Sequence, residues 1–247
     1  MALRAEVVRL DWSPETQDRL GALTSEAFAR GARRVEVLVP VSATGRHLVH
    51  RAGFRREGLL RQVSARPDGS YEDAHLYARL VDDDVVGAGT FSTVMNAVLP
   101  KTRVIAHAVF RDDAGRVLLL EVSYKRDWEL PGGVVEPHEP PRVGCEREVL
   151  EEIGLTVGLD RVLCFDWLPP YLGWDDADEV IFDGGVLSGS QIDAMVLGEG
   201  EIVAAHWVDP GDVAAHVMPL AARRLAWLLA HPDAPPTLFE DGAPVGL

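Results

Sequence analysis

Cysteine is scarce in this chain of 247 residues, in which only Cys145 and Cys164 occur. Two thiols cannot form the disulfide framework of a small secreted domain, and their spacing does not suggest a zinc site. The composition therefore favours an ordinary hydrophobic core with reduced thiols, and we expect a cytoplasmic protein.

Basic residues are also few, since 24 Lys and Arg stand against 39 Asp and Glu and the net charge is −15. Surfaces that bind nucleic acids or anionic membranes need a basic patch, so neither is an expected partner. Hydrophobic residues make up 47% of the chain, with six Trp. This is enough for one large or two small domains with real cores.

Long apolar runs are missing as well. The first residues, MALRAEVVRLDW, carry charges throughout, so a signal peptide is not expected. No apolar run approaches the roughly 20 residues of a membrane span. We find no internal repeat and no low-complexity tract.

Turn and helix-boundary residues are concentrated in 132–155, which reads GGVVEPHEPPRVGCEREVLEEIGL. Gly132 and Gly133 allow a tight turn and a close approach of the backbone to a ligand or an ion. The prolines at 140 and 141 suit the first turn of a helix, and Gly154 suits the position after the last turn. The pattern predicts a short helix between them.

Acidic residues line one face of this predicted helix. Glu148, Glu151 and Glu152 are three or four positions apart, so their carboxylates would repel one another unless a cation lay among them. Carboxylate oxygens of this kind suit Mg²⁺ or Mn²⁺. The opposite stripe is apolar and can pack on a sheet. It consists of Val143, Val149, Leu150 and Ile153.

The spacing in 133–155 resembles the Nudix box of the Nudix hydrolases at every defining position. The resemblance implies an α/β/α sandwich with a mixed sheet over residues 101–230. It also implies hydrolysis, with a divalent metal, of a nucleoside diphosphate linked to another group. Water attacks phosphorus in this reaction, and positioning and charge neutralisation do most of the catalytic work.

The resemblance also implies roles for individual residues. The implied metal ligands are Gly132 (through its carbonyl oxygen), Glu148, Glu151 and Glu152. Arg147 and Glu139 are implied to orient the helix. The candidate catalytic residues are Glu148, as the preferred base, Arg147 and Glu201, with Glu199 as an alternative to Glu201.

Aromatic residues outside the box are candidates for substrate binding. Trp128, Tyr171 and Trp174, together with Trp167, could each offer a face to a nucleobase. Packing in the core or within the loop explains the same residues, because aromatic side chains are commonly buried. Both interpretations stay open at this stage.

The substrate class is the least constrained inference. Pro169 and Pro170, about fifteen residues beyond the box, are similar to a feature of nucleotide-sugar and ADP-ribose pyrophosphatases, which we favour. Tyr171 is similar to a feature of dinucleoside-polyphosphate hydrolases, and damaged nucleoside triphosphates are a further alternative. A Nudix module that senses a nucleotide with weak catalysis is the rival function.

Residues 1–82 resemble the C-terminal half of a GCN5-related acetyltransferase. The matching residues are Ala27-Phe28, Arg34-Val35-Glu36, Gly53-Phe54, residues 57–61, and Asp68-Gly69 followed by Asp73. The family's phosphate-binding glycine loop falls on Asp11 to Thr16, where Pro14 removes a donor and the carboxylates would repel phosphate. Ser42 replaces the family's usual asparagine. We therefore expect a partial, degenerate domain without acetyl transfer.

Two further segments complete the expected organisation. Residues 83–100 read as a linker in which 91–99 could form a short docked helix. Residues 231–247 read as a mobile or surface-draped tail.

A half domain leaves its first strand uncovered, so we also expect a homodimer with the N-terminal domain in the interface.

Overall fold

The computed structural model describes residues 6–83, 92, 95–96 and 99–246. The chain divides into two compact units, Met1–Pro100 and Lys101–Leu247. The predicted docked helix at 91–99 lies mostly outside the described residues. No helix in the described part of the chain is long and apolar enough to cross a membrane.

The first unit is a four-stranded sheet with two helices. Its elements are β1 (Val7–Asp11), α1 (Pro14–Ala29), β2 (Arg34–Pro40), α2 (Arg46–Arg51), β3 (Arg55–Ala65) and β4 (Tyr71–Leu80). The strand order is β1-β2-β4-β3, so β4 lies between β2 and β3. β1 runs parallel to β2, and the other pairs are antiparallel.

The core of the first unit forms where β2 meets the helices. Val35, Val37 and Val39 of β2 are fully buried and pack in one cluster with Leu20 of α1 and Val49 of α2. The residue pattern predicts strands at 59–65 and 75–80, and β3 and β4 each begin four residues before these stretches. Most of β3 is exposed, so no alternation of polar and apolar residues marks its first half.

The second unit is built on an eight-stranded sheet. Its strands are β5 (Arg103–Arg111), β6 (Val117–Val122), β7 (Gly132–Val134), β8 (Val162–Leu168), β9 (Ala177–Val186), β10 (Ile202–Val208), β11 (Thr237–Glu240) and β12 (Ala243–Pro244). Its helices are α3 (Pro141–Ile153), α4 (Gly189–Asp193) and α5 (Pro219–Ala230), with a 3₁₀ turn at Val213–Ala215. The order is β10-β6-β5-β9-β8-β11-β12, and β7 pairs with β5.

Helices cover both faces of this sheet. Leu118 and Leu120 of β6 pack in the core that includes Val149 of α3, whereas Leu119 packs in the core that includes Leu225 of α5. Alternate residues of a strand point to opposite faces, so α3 and α5 lie on opposite sides. The second unit is therefore a mixed α/β sandwich.

The C-terminal segment differs from the expected tail. β11 pairs in parallel with β8, and the side chain of Phe239 is fully buried between the sheet and α5. A strand of four residues is too short to show a clear period, and the prolines that precede it suggested a loop. Burial of an aromatic ring holds the segment in the sheet.

Candidate active site

The glycine loop before α3 approaches β5 closely. Gly132 pairs with His107 in the β7–β5 ladder, and the Pro131 carbonyl accepts a hydrogen bond of 2.9 Å from the Ala108 amide. The φ angle of Gly132 is 135°, and a Cβ there would lie 2.2 Å from the Ala106 carbonyl oxygen. Only glycine fits at this position.

The helix α3 begins and ends where the sequence predicts. Pro141 is its first residue, and Gly154 ends it with a left-handed φ of 73° while its amide donates to the Leu150 carbonyl. Cys145, Val149 and Ile153 are buried against the sheet, whereas Val143 and Leu150, two members of the predicted apolar stripe, are 38% and 49% exposed. This packing fixes the rotation of the helix and turns its acidic residues toward the glycine loop.

Glu152 is tied to the glycine loop by a direct hydrogen bond. The Gly132 amide donates to its Oε2 atom over 2.7 Å. Burial raises the pKa of Glu152 to about 7, and the negative charges of Glu148 and Glu201 add to that shift. A cation beside these carboxylates would remove this penalty.

Arg147 is the positive centre of the acidic face. It donates two hydrogen bonds to the Glu139 carboxylate, of 3.0 and 3.1 Å, so the predicted pair does form. Its Nη1 atom also lies 2.8 Å from Glu148 and 3.3 Å from Glu151. Arg147 therefore fastens the end of the loop to the helix and partly neutralises two of the predicted metal ligands.

The predicted ligands are suited to a divalent cation by their chemistry, since all are hard oxygen donors. In the described part of the chain, however, no three His, Cys, Asp or Glu side chains are arranged around a common centre that could hold an ion. Glu148 and Glu151 face Arg147, and Glu152 faces the Gly132 amide. A bound ion would compete with these two donors for the same carboxylates.

Glu201 lies beside this acidic group although it comes from a different element. It directly precedes β10, and its carbonyl accepts from the Ser123 amide over 2.9 Å. Burial raises the pKa of Tyr124, and the charges of Glu201, Glu152 and Glu148 raise it further. The charges of all three carboxylates therefore reach the Tyr124 hydroxyl.

Trp128 is covered on both faces. The His206 ring stacks on it at 3.9 Å between centroids and the His216 ring stacks on it at 4.0 Å, with interplanar angles of 4° and 10°. This arrangement corresponds to the packing interpretation of Trp128. A nucleobase could stack on the indole only if one imidazole moved away, so at most the edge of the ring is available to a ligand.

Tyr171 and Trp174 lie in a tight exposed turn. Each donates its amide to the other's carbonyl, over 3.1 and 2.9 Å, and the side chains are 55% and 66% exposed. The Arg103 guanidinium lies 4.6 Å from the centroid of the Trp174 ring. Trp167 is on β8 and is partly exposed. Trp174 therefore combines an open aromatic surface with a cation that sequence reasoning missed.

A buried ionic group on the other face of the sheet was also missed. Arg224 of α5 bonds Glu179 over 2.7 and 2.9 Å and Asp166 over 2.8 Å, and the Nδ1 atom of His107 lies 2.7 Å from Glu179. Burial alone would raise the pKa of Glu179, but Arg224 and then His107 lower it to about 2. A single acidic residue within an otherwise apolar strand, Asp166 in 162–168, is the clearest local signal for this group.

The comparison with protein families identifies the class of protein. The NUDIX domain family matches residues 101–228, which is just over half of the chain. The chain belongs to this family. Nudix hydrolases are enzymes that act on small-molecule nucleotide substrates, and they generally use divalent metals. The match does not include the first unit, whose resemblance to an acetyltransferase stays a prediction.

Two relatives are similar in sequence to parts of this chain. A MutT-like protein of Streptomyces ambofaciens is 45% identical over 58 residues, which are 24% of this chain and 37% of the relative. A putative 8-oxo-dGTP diphosphatase of Bacillus subtilis (strain 168) is 28% identical over 120 residues, which are 49% and 75%. The chain thus spans little more than a third of the first relative's length.

Among solved structures, the MutT protein from Methanosarcina mazei Go1 is similar at 26% sequence identity. The alignment covers 55% of this chain and 98% of that protein, with a TM-score of 0.46.

Proposed function

We propose that this protein is a divalent-metal-dependent hydrolase that cleaves the pyrophosphate linkage of a nucleoside diphosphate derivative. The observation that carries the proposal is the position of the acidic face of α3 at the glycine loop, where the Gly132 amide donates to Glu152 and Arg147 bonds Glu139 and Glu148. The charge of Glu152 is costly to bury there unless a cation pairs with it. A nucleotide-sensing module with weak catalysis is less well supported, because such a module would not need all of the carboxylates of the Nudix box.

The metal centre would be formed by Glu148, Glu151, Glu152 and the Gly132 carbonyl. Mg²⁺ or Mn²⁺ bound there would shield the pyrophosphate oxygens and activate the attacking water. Glu148 is the proposed base, and Glu201 is the second choice. Arg147 holds Glu148 through Nη1 and Glu139 through the rest of its guanidinium, and so fixes the direction of the base.

The rest of the substrate would lie toward the exposed aromatic turn. Trp174 has an open face on the side away from Arg103, and Tyr171 stands at the other end of the turn. Stacking on such rings is tolerant of base identity and contributes about 1–3 kcal/mol per base. This supports a nucleoside moiety but does not select among bases. Trp128, whose faces are occupied, would contribute only its edge.

We favour nucleotide sugars or ADP-ribose as substrates on the strength of Pro169 and Pro170, and Tyr171 alone supports dinucleoside polyphosphates. A second candidate has a specific observation in its favour. The similarity to a putative 8-oxo-dGTP diphosphatase extends over 75% of that protein, which supports hydrolysis of damaged nucleoside triphosphates.

A substrate panel tests the proposal. The protein is incubated with Mg²⁺ and ADP-ribose, sugar nucleotides, dinucleoside polyphosphates or oxidised triphosphates, and phosphate is measured with and without added phosphatase. If phosphate appears only when phosphatase is added, the protein has cleaved the pyrophosphate linkage into two phosphate monoesters, as expected for a nucleotide sugar. For an oxidised triphosphate, inorganic pyrophosphatase replaces the phosphatase, and phosphate that appears only with pyrophosphatase supports the second candidate. Absence of turnover on all four classes, with nucleotide binding retained, would favour the sensor.

For the first unit we propose a degenerate acetyltransferase-like domain without acetyl-coenzyme A binding. The start of α1 is already capped, since the Ser13 side chain accepts from the Thr16 amide over 3.2 Å. That hydrogen bond and Pro14 leave few donors for a phosphate. β1 is at the edge of its sheet, which supports the proposal that the unit pairs with a second copy.

A further inference from the structure

The two units differ sharply in charge. Residues 1–100 contain thirteen Arg, no Lys and thirteen Asp and Glu, so their net charge is zero. Residues 101–247 contain 11 Lys and Arg against 26 Asp and Glu and carry the whole net charge of −15. The overall acidity of the chain therefore hides the basic part of the first unit.

The basic residues of the first unit are concentrated in 45–66. This stretch contains six Arg and two His but only one acidic residue, Glu57. It forms α2 and β3, which lie beside β4 in the fold. Glu57 is already bound to Arg34 over 2.5 Å, so it does not neutralise the other arginines of the stretch.

Five side chains of this region form a group that we call the basic cluster: Arg46, His50, Arg56, His75 and Tyr77. His75 and Tyr77 are two positions apart on β4 and Arg56 is paired with Tyr77, so the three share one face of the sheet. Arg46 and His50 are one turn apart on α2. The His50 and His75 rings lie 5.2 and 6.3 Å from the Tyr77 ring.

The basic cluster has no carboxylate partner among the described residues. Arg46 and Arg56 are exposed and form no ion pair there. The Nδ1 atoms of His50 and His75 are buried and have no hydrogen-bond partner. Unpaired buried polar atoms in a folded protein call for an explanation. An anion bound beside the two rings would favour their protonated forms, in which each Nδ1 atom becomes a donor with a partner.

Burial and the positive charges within the cluster lower the pKa values of both histidines. Burial lowers the pKa of His75, and the positive charges of Arg56 and Arg46 lower it further. Burial also lowers the pKa of His50, where Arg56 adds to the effect. The same two arginines act on Tyr77. Two guanidinium groups thus converge on one small region, and an anion placed there would relieve their mutual repulsion.

We propose that the basic cluster is a binding site for a small phosphorylated compound. Guanidinium groups match the geometry of phosphate oxygens and can donate two hydrogen bonds each, so Arg46 and Arg56 would hold the phosphate. His50, His75 and Tyr77 would form the floor of the site. All five residues of the site belong to the first unit.

Inorganic pyrophosphate is the probe, and the full-length protein is used in buffer with EDTA. Without metal, the net charge of −15 in the second unit disfavours binding of the probe there. The imidazole signals of His50 and His75, assigned with the variants His50→Gln and His75→Gln, are followed by NMR. We expect both signals to shift saturably, with a dissociation constant of about 1 mM or lower.

The double variant Arg46→Gln/Arg56→Gln should bind at least tenfold more weakly. The matched control is Arg51→Gln/Arg61→Gln, which removes two exposed arginines of the same stretch and should bind like the wild type. All four arginines are exposed, so the amide spectra should show that both variants are folded.

Three results would overturn the proposal. The first is no saturable shift of either imidazole at high pyrophosphate concentration. The second is equal weakening of binding in the two double variants, which would indicate a diffuse charge effect. The third is much tighter binding of an eight-nucleotide RNA with a steep dependence on salt, which would make the stretch a polyanion-binding surface instead.

Discussion

At the scale of single residues, two adjacent glycines in the loop carry different constraints. A Cβ at Gly132 would meet the backbone of Ala106 and His107 at 2.2 and 2.6 Å, whereas a Cβ at Gly133 would meet the Glu148 carboxylate at 2.9 to 3.2 Å. Backbone in the core of a sheet cannot move aside, but the end of a flexible side chain can. Gly132 is therefore required for the fold, and Gly133 leaves room for the carboxylate of Glu148, the proposed base.

This difference predicts a contrast between two alanine variants. Gly132→Ala should lose about 3 kcal/mol or more of unfolding free energy, because both its φ angle and its contacts exclude a Cβ. Gly133→Ala should keep most of its stability but should lose at least tenfold in kcat as Glu148 is displaced. Urea denaturation and initial rates measure the two effects. Equal stability losses in both variants would be inconsistent with this description of the loop.

At the scale of elements, α5 is fixed to the sheet by a buried charge network. Arg224 is 3% exposed, and its partners Glu179 and Asp166 belong to β9 and β8. Removing the cation would leave two carboxylates in the core without compensation. The network ties the helix to two strands and, through the His107–Glu179 contact, to β5, the strand that pairs with the glycine loop.

We therefore predict that Arg224→Met destabilises the protein by about 3–5 kcal/mol. Arg223→Met is the control, because the neighbouring Arg223 is partly exposed and its loss should cost no more than about 1 kcal/mol. Chemical denaturation of the second unit measures both. A stability loss for Arg224→Met no larger than that of the control would show that the network is not needed for the fold.

The elements that could be predicted from sequence are those specified by local residues. The helix α3 has a proline at its start and a glycine after its end, and the Glu139–Arg147 pair spans only eight positions. Contacts between distant segments could not be predicted in the same way. The stacking of Trp128 between His206 and His216 and the partners of Arg224 depend on how strands far apart in sequence are ordered.

At the scale of the whole molecule, the proposed homodimer rests on the edge strand of the first unit. β1 is an edge strand, and Val7 on it is 47% exposed. Edge strands with free backbone groups invite pairing, and a two-fold interface needs only one self-complementary patch. The sheet of the second unit also ends in edge strands, β10 and β12, but both of its faces are covered by helices.

Light scattering tests this proposal. The full-length protein should have the mass of a dimer, and a truncated protein that begins at Lys101 should have the mass of a monomer. A monomeric full-length protein would contradict self-pairing. A truncated protein that is still a dimer would place the interface in the second unit.

The most direct test of the proposed hydrolase is the metal-dependent rate of the Glu152→Gln variant. Glu152 joins α3 to the Gly132 amide. The free-energy cost of burying its charge is offset only when a cation pairs with that charge. The exposed turn residue Asp113 provides a control of equal charge change, Asp113→Asn.

On the best substrate from the panel, at saturating Mg²⁺, Glu152→Gln should reduce kcat by about a hundredfold or more, equivalent to roughly 2.7 kcal/mol of transition-state stabilisation. Asp113→Asn should keep the wild-type rate. A Glu152→Gln variant that is folded and retains near wild-type turnover at saturating Mg²⁺ would contradict the assignment of this carboxylate to the metal centre.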